Sequence, residues 1–395
     1  MKKVLLVVVL WLSFIIFAGC TTDVEPDVFF IEVIDLAGDV LMSESINFDS
    51  ETQVNLIELI DEAIDLDYTV FSFGTFINGV GGHYPKEYGV TYNYYFSLFV
   101  DGVSSNVGLD QVVVQDGTKI SFIEVTLLDE IDLEVDRLIE LFIQTHIDTY
   151  ISSSALEHHV VAAAEHLHRL GYDFPSLSVL IDDPSPFLMR DTLQNTMKTA
   201  IYETIFQKDT TMTETTLLGF SPNNHYDAYS VLTGLSLMEG YTMQKQSLIT
   251  QMTSTDPAYM DSDYAGMALL AIAPYFEAFQ LELVREHYLT YIKENLTSTG
   301  VTAWGNPNSS STATVVLGLV AHGINPRGED FQTEGIDLIE ALLLYSHEGA
   351  FKWVLGDETA NMSFSTPQVF AALVAYKIMR DTFGNPPFHL FDLAS

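Results

Sequence analysis

The spacing of apolar residues divides this chain into two parts with different periods. In the first part, short runs of β-branched and aromatic residues predict strands: "DVFFIEVIDL", "YTVFSFGTFINGVGG", "NYYFSLFVDGVSS" and "TKISFIEVTLL". Tight turns are predicted at Asn78-Gly79, Asp101-Gly102 and Asp116-Gly117, because these pairs tolerate positive φ. Apolar residues at helical spacing from Val54 to Ile64 predict one helix. We therefore expect a small α+β domain, a mixed sheet with one helix, over residues 28–128.

From about residue 130 onward, apolar residues follow helical spacing. Four segments resemble one another, "YDAYSVLTGLSLM", "YAGMALLAIAPY", "STATVVLGLVAHG" and "STPQVFAALVAY", and they begin at Tyr226, Tyr264, Ser311 and Ser365. These starts are 38, 47 and 54 residues apart, which leaves room for a pair of antiparallel helices each time. Small and aliphatic residues fill almost every position, so these helices are predicted to be buried on all sides. An inner ring surrounded by outer amphipathic helices, an all-α α/α toroid, is predicted for residues 130–395.

The N-terminus has the features of a secretory signal. Lys2 and Lys3 precede an apolar run that ends at Phe17-Ala18-Gly19-Cys20, and Cys20 is the only cysteine in the chain. This ending resembles a bacterial lipobox, in which the cysteine is acylated and becomes the new N-terminus. We expect a lipoprotein signal at residues 1–20, a tether at 21–27, and an extracytoplasmic protein anchored to the bacterial cell membrane through Cys20. The alternative is an ordinary secretory signal with an incidental cysteine.

The charge of the chain excludes one class of partner. With 54 acidic and 16 basic residues the net charge is −38, so the chain has no basic surface for binding nucleic acid. Anionic lipid would also repel it, which fits a membrane contact made only through the N-terminal lipid. The acidic residues are spread along the chain and predict a solvated surface. Whether calcium or salt balances that surface stays open.

Both parts resemble known families. The segment from Gly74 to Val125, with its Ile-Asn-Gly and Asp-Gly pairs and its aromatic strand, resembles the transcobalamin C-terminal-like domain. Residues 130–395 resemble the terpenoid cyclase/prenyltransferase toroid, in particular the helical domain of transcobalamin and intrinsic factor, through "DYAGMALLAIAP" from Asp263 to Pro274. Here the domain order is reversed and the disulfides of those carriers are absent. The resemblance implies a binding protein for a corrinoid or a similar bulky amphipathic molecule.

The enzymes that share the toroid need residues that this chain lacks. A protein prenyltransferase needs a cysteine zinc ligand, and Cys20 is assigned to the lipid. A class II terpene cyclase needs an Asp-rich acid motif, of which "DSDY", residues 261–264, lacks the last aspartate. A polysaccharide lyase needs arginine and binds a polyanion, which the net charge would repel. We therefore predict no catalytic residue and no required cofactor.

The histidines are not predicted to bind a metal. In "EHHVVAAAEHLHRL", from Glu157 to Leu170, no histidine pair shows the four-residue spacing of helical metal sites, and a solvated helix face is expected. His225, just before a repeat helix, has two interpretations. It is either a residue of a helix-capping loop or a ligand of a metal centre such as cobalt.

The predicted function is to hold a small, bulky ligand, with cobalamin as the specific candidate, between the sheet domain and the toroid. A membrane transporter is the expected partner for delivery. One alternative is a surface module that binds a protein or a cell-wall glycan, and the least favoured alternative is a toroid-type enzyme. The predicted ligand-binding residues are Tyr94, Tyr95, Phe96, Asn106, Asn224, His225, Tyr226, Asp227, Asp263, Tyr264, Trp304, Asn306, Ser311, Thr366 and Gln368.

Overall fold

A computed structural model describes residues 26–49, 55–71, 74–254 and 260–393 of the chain. These residues form two compact units, which we name the sheet unit, up to Tyr88 and again over Tyr94–Thr126, and the helical unit, Gly89–Asn93 with everything from Leu127. The predicted fold class, α+β followed by all-α, is confirmed. The predicted signal and Cys20 lie outside the described residues. Within the described ranges, no helix is long and apolar enough to cross a membrane.

The sheet unit is built on one mixed sheet and a separate hairpin. The strands are β1 Asp27–Ile34, β2 Val40–Phe48, β3 Leu66–Phe71, β4 Gly74–Val80, β5 Tyr94–Val100, β6 Val103–Ser104 and β7 Lys119–Thr126. The strand order of the mixed sheet is β2-β1-β7-β5-β6, with β1 and β7 parallel and the other neighbours antiparallel. The hairpin joins β3 to β4.

The core of the sheet unit follows the two-residue period of its strands. Phe29, Ile31 and Val33 alternate along β1 and are fully buried, since successive side chains of a strand point to opposite faces. Helix α1, Leu56–Ile64, buries Ile57 and Ile60 in the same apolar cluster. One sheet face covered by one helix is thus the source of this unit's stability.

One predicted turn is wrong. Asn78 and Gly79 lie inside β4, and the hairpin register shifts there, so that Asn78 is an extra residue in the ladder. The amide of Asn78 donates to Asp67 Oδ1 at 3.1 Å and to Thr69 Oγ1 at 3.0 Å across the hairpin. A β-bulge therefore uses the pair that was predicted to reverse the chain. Asp101 and Gly102 do form the turn between β5 and β6, both with positive φ.

The helical unit contains thirteen of the described α-helices. They are α2 Glu130–Tyr150, α3 His158–Arg169, α4 Leu177–Leu180, α5 Leu193–Ile205, α6 Thr211–Gly219, α7 His225–Ser236, α8 Thr242–Thr253, α9 Ser262–Ile272, α10 Phe276–Phe279, α11 Glu282–Glu294, α12 Ser309–Ala321, α13 Leu338–Leu343 and α14 Ser365–Asp381. Short antiparallel strands precede three of these helices. Before α3, β8 Ile151–Ser152 pairs with β9 Ala155–Leu156, and before α14, β13 Ser346–His347 pairs with β14 Ala350–Phe351. Before α12, three strands pair in the order β10 Leu296–Thr297, β11 Gly300–Ala303 and β12 Asn306–Pro307.

Six of these helices form a closed ring. In the order α3, α5, α7, α9, α12, α14, each packs against the next, and α14 packs back against α3. Outer helices cover the ring, with α8 on α7, α11 on α9, α13 on α12, and α2 on α14 and α3. All four repeat segments found in the sequence lie in ring helices and are buried, as predicted. The six helices thus follow one another in a cycle, and the resemblance to the terpenoid cyclase/prenyltransferase toroid stays a prediction.

The closest packing in the ring joins α9 to α12. A Cβ atom added at Gly266 would lie 2.7 Å from the backbone carbon of Thr314, and one added at Gly318 would lie 2.7 Å from the carbonyl oxygen of Gly266. No side chain longer than hydrogen fits at either position, because backbone atoms cannot move aside as side chains do. The two glycines therefore set the separation of these two helices.

A buried ion network fixes α14 against α2. Arg380 Nη2 lies 3.0 Å from Asp136 Oδ1 and 2.8 Å from Asp381 Oδ1, and Lys377 Nζ lies 3.1 Å from Asp381. Tyr172 donates a further hydrogen bond to Asp381. Buried charges of this kind are tolerated only when paired and hydrogen-bonded, so the network fixes one alignment of the two helices.

The glycine contact yields a stability prediction. Gly318→Ala and Gly266→Ala are each expected to lower the free energy of unfolding of the helical unit by about 1–3 kcal/mol, since the added methyl group forces the backbones apart. The check is urea-induced unfolding followed by tryptophan fluorescence. Gly219→Ala is the matched control, because it lies at the end of α6 with nothing within 4 Å of the added methyl, and it should be neutral or slightly stabilising. Equal effects of all three substitutions would contradict the packing described.

Candidate functional site

The helical unit contains a pocket at the N-terminal ends of its ring helices, which we name the helix-end pocket. Its volume is about 500 Å³, within the range of about 300–1,000 Å³ typical of small-molecule sites. Its lining is Asp263, Trp304, Asn308, Ser310, Ser311, Trp353, Asn361, Phe364 and Gln368. These residues come from the starts of α9, α12 and α14 and from the loops that lead into them.

Helix capping positions the polar part of the lining. Asn308 caps α12, and its Oδ1 accepts the Ser311 N–H at 2.9 Å while its Nδ2 donates to the Ala303 carbonyl at 3.2 Å. Asn361 Oδ1 accepts the backbone N–H of Phe364 at 2.9 Å just before α14. The hydroxyls of Ser310 and Ser365 lie 2.9 Å apart and connect the starts of α12 and α14. The requirement to cap ring helices therefore gathers polar side chains at one end of the unit.

Asp263 is the ionisable group among the lining residues. It lies in the first turn of α9, with the hydroxyls of Thr314 and Ser311 beside its carboxylate. Burial, helped by the nearby Asp261 carboxylate, raises the pKa of Asp263 to about 6, and the two hydroxyls and His159 oppose that rise. This carboxylate therefore exchanges a proton close to neutral pH.

The rest of the lining combines aromatic surface with an unpaired acceptor. Trp304 lies in the turn between β11 and β12 with φ of 56° and is 64% exposed, and Phe364 is 65% exposed. Trp353 belongs to the same lining. Gln368 Oε1 is buried and finds no hydrogen-bond partner among the described residues. A buried acceptor without a hydrogen bond costs about 1–3 kcal/mol of stability. The site therefore favours a ligand that donates a hydrogen bond.

Four of the predicted binding residues lie in this lining: Asp263, Trp304, Ser311 and Gln368. On the helical side, the other predicted residues are not in the lining. Tyr264 is fully buried and donates to the Met252 carbonyl at 2.9 Å, and Thr366 Oγ1 accepts the Phe351 N–H at 3.0 Å. The carbonyl of Asn306 accepts from Asn308. These three support the structure around the pocket and do not line it.

The predicted group at the start of α7 also lies outside the lining. Asn224 caps that helix by accepting the Asp227 N–H at 2.9 Å, and Asp227 accepts from the Asn223 N–H at 3.0 Å. His225 is the first residue of α7, beside the ring of Tyr264 at 4.2 Å, and Tyr226 reaches Asp261 at 3.5 Å. The geometry makes this group the capping structure of α7, with His225 held between tyrosine rings.

On the sheet side, the aromatic residues serve as core. Tyr94 and Phe96 are buried in the sheet unit, and Phe96 belongs to its apolar cluster. Tyr95 is half-buried in β5 opposite Val125, and Asn106 is exposed in the loop that follows β6. Burial against α1 and the neighbouring strands explains why the aromatic strand is apolar. That Tyr94, Tyr95, Phe96 and Asn106 bind a ligand stays a prediction, with Tyr94 and Phe96 buried in the sheet unit.

The histidine cluster was wrongly predicted to be a solvated helix face. Helix α3 is a ring helix, and His158, Glu165 and His166 are all buried. At its start, Glu157 lies beside both His158 and His159, and burial lowers the pKa of His158 to about 4. Burial alone would raise the pKa of Glu157, but the two imidazoles hold it well below its usual range. Among the residues that the structure describes, these three form a cluster of side chains that could hold a metal ion.

Sequence reasoning missed several lining residues, namely Asn308, Ser310, Trp353, Asn361 and Phe364. Two signals were present. Asn308 precedes a serine run and a buried helix, which is the pattern of an N-cap. Trp353 and Phe364 flank a polar loop directly before the last repeat segment, as Trp304 flanks the loop before the third.

Comparison with known proteins adds a domain match in the sheet unit. Residues 54–123 match the family described as Domain of unknown function (DUF4430), a family associated with transcobalamin-like domains. The match covers less than half of the chain. No curated protein matches the chain.

One solved structure is similar to part of the chain. It is a crystal structure of a candidate metal binding protein from Ruminococcus gnavus, at 18% sequence identity and a TM-score of 0.22. The alignment covers 26% of this chain and 99% of that one. At this TM-score the similarity does not bear on the ligand of this chain.

The buried carboxylate of Asp263 yields a pH prediction. Its pKa in the folded protein, about 6, lies above the value of about 3.9 expected in the unfolded chain. Its contribution to stability is therefore fully present below about pH 4 and is lost as the pH rises through 6. Relative to Asp263→Asn, the free energy of unfolding of the wild type should fall by up to about 2 kcal/mol between pH 4 and pH 7.

The measurement is urea unfolding of both proteins across that pH range. Asp183→Asn is the control. Hydrogen bonds from Ser185 lower the pKa of that exposed carboxyl, so the pH dependence of the stability difference from the wild type should have the opposite sign. A difference between wild type and Asp263→Asn that stays constant with pH would contradict the raised pKa.

Proposed function

We propose that this chain is a binding protein and that the helix-end pocket holds a neutral, amphipathic small molecule. The observation that carries the proposal is the composition of the pocket. Three aromatic side chains, Trp304, Trp353 and Phe364, share it with Asp263 and the unpaired Oε1 of Gln368. Apolar walls with a few placed polar groups are the usual composition of small-molecule sites.

The electrostatics favour a ligand without negative charge. The net charge of −38 repels anions at long range. Asp263 and Gln368, both in the lining, carry hydrogen-bond acceptors, so the ligand should bring N–H or O–H donors. An amide-bearing or hydroxyl-bearing molecule with an apolar body satisfies both conditions.

A corrinoid is the specific candidate. Cobalamin has a rigid apolar ring surrounded by amide groups, which suits aromatic walls combined with buried acceptors. The resemblance of the sheet unit to transcobalamin-like domains, together with the DUF4430 match, supports the same candidate. A pocket of about 500 Å³ would take one side of so large a molecule.

A glycan is the second candidate. Trp304 and Phe364 belong to the lining and are each more than 60% exposed, so both side chains are accessible to a ligand. Sugar rings stack on aromatic rings such as these, while serine, asparagine and glutamine side chains bond their hydroxyls. A surface module that binds a cell-wall polysaccharide would use the same lining.

The lining supports binding over catalysis. Asp263 is the carboxylate of the lining, and both hydroxyls beside it, those of Ser311 and Thr314, belong to the neighbouring ring helix α12. The nearby Asp261 carboxylate accepts the Tyr264 N–H at 2.8 Å as the cap of α9. Acid–base hydrolysis commonly needs two carboxylates facing the substrate, and here the second is engaged in capping.

The ligand test can use intrinsic fluorescence. The chain has three tryptophans, and a fragment that begins at Thr21 retains only Trp304 and Trp353, both in the pocket lining. Cobalamin should quench their emission saturably and should co-elute with the protein on gel filtration. Trp304→Ala should weaken binding at least about tenfold, since a buried aromatic contact contributes 1–2 kcal/mol or more.

Tyr92→Ala is the control, because Tyr92 is 87% exposed and outside the lining. Saturable quenching by cell-wall oligosaccharides in place of cobalamin would establish the glycan candidate. No saturable response to either would contradict the proposed function.

We further propose that Cys20 carries a lipid that anchors the protein outside the cytoplasm, from where a membrane transporter receives its ligand. Cys20→Ser should abolish metabolic labelling with a radioactive fatty acid and move the protein from the membrane to the soluble fraction. Acyl chains supply about 0.8 kcal/mol per buried methylene, which explains the expected loss of anchoring. Membrane retention of Cys20→Ser would contradict the anchor.

A further inference from the structure

Glu157, His158 and His159 bring three metal-binding atoms together at the start of α3. Glu157 Oε1 lies 2.8 Å from His158 Nδ1 and 3.1 Å from His159 Nδ1, and the ligand atoms of all three residues lie within 4.8 Å of one another. Tetrahedral ligands at about 2.0–2.1 Å from Zn²⁺ are roughly 3.3 Å apart. We propose that these three side chains form a site for one divalent cation of the imidazole-binding class, with Zn²⁺ as its probe.

An independent observation points to a ligand at the same place. His158 is 8% exposed, and its Nδ1 finds no hydrogen-bond partner among the described residues. The Glu157 oxygen 2.8 Å away does not provide hydrogen-bond geometry. An unpaired buried nitrogen costs about 1–3 kcal/mol, and a cation bound to this nitrogen removes that cost.

Local structure holds the three ligands in place. Glu157 is the N-cap of α3, and its Oε2 accepts the Val160 N–H at 3.0 Å, which leaves Oε1 directed at the two imidazoles. The ring of Phe391 lies parallel to that of His158 with centroids 6.1 Å apart. Adjacent residues converge here because Glu157 precedes the first helical turn. A carboxylate and neutral imidazoles are ligands that suit Zn²⁺ and similar transition metals.

The surroundings allow a cation to enter and remain. The side chains of Glu157 and His159 are 21% and 14% exposed, so the cluster is reached from solvent. The Asp263 carboxylate is close enough for its negative charge to act on His159. The positive charge of Lys198 acts on His158. The net charge of −38 further concentrates cations near the protein.

The test uses the full chain in detergent, purified without a histidine tag. Bound Zn²⁺ is measured by equilibrium dialysis. A large excess of Mg²⁺ is present, so that Mg²⁺ occupies the many surface carboxylates. One Zn²⁺ per chain is expected, and His158→Gln and His159→Gln should each weaken its binding at least about tenfold. His287→Gln, at an exposed position on α11, removes an imidazole elsewhere and should leave binding unchanged. Zn²⁺ should also raise the melting temperature of the wild type and of His287→Gln, and should raise that of His158→Gln and His159→Gln less.

Circular dichroism identifies a variant that fails to fold. Because His158 is buried and His159 partly exposed, His159→Gln decides the question if His158→Gln is misfolded. No stoichiometric Zn²⁺, or Zn²⁺ held equally by wild type and a folded His159→Gln, would overturn the site. Trp304→Ala should bind Zn²⁺ normally, which keeps this result separate from that of the helix-end pocket.

Discussion

The backbone contact between α9 and α12 is the constraint on which the rest of the helical unit depends. Gly266 and Gly318 let these helices approach to atomic contact, and the ring of six helices is closed. A closed ring brings the helix starts together, as the Ser310–Ser365 contact and the Tyr226–Asp261 contact show. The polar end of the unit, where the helix-end pocket lies, follows from this packing.

That polar end has a thermodynamic consequence. Helix starts leave backbone N–H groups without intrahelical partners, so each needs a cap, and Asp261, Asn308 and Glu157 serve this purpose. Most of the gathered polar atoms are satisfied within the protein. Gln368 Oε1 and His158 Nδ1 are buried exceptions. Both lie at starts of ring helices, and both are explained most simply by a bound partner, an organic ligand for the first and a cation for the second.

The spacing of apolar residues was enough to predict the two units, the mixed sheet and four of the six ring helices. Those four helices are recognisable because a helix buried on all sides has small and aliphatic residues at almost every position. The burial of helix α3 was missed because its polar residue His166 has a partner that is distant in sequence: His166 Nε2 contacts the carbonyl of Leu390, 224 residues away, at 2.9 Å. Asp263 and Ser311 were found because they precede or begin repeats. Trp353 and Phe364 were not found, since irregular loops carry no period and only the closed ring brings them to α9.

The central claim is that the helix ends enclose a site whose purpose is to hold a molecule. Native mass spectrometry of the protein purified from its own cells tests it most directly. The account predicts a bound small molecule in addition to the polypeptide, present in the wild type and strongly depleted when Trp304 and Gln368 are both replaced by alanine. Spectra without such a molecule, or an adduct that persists in the double variant, would contradict the account.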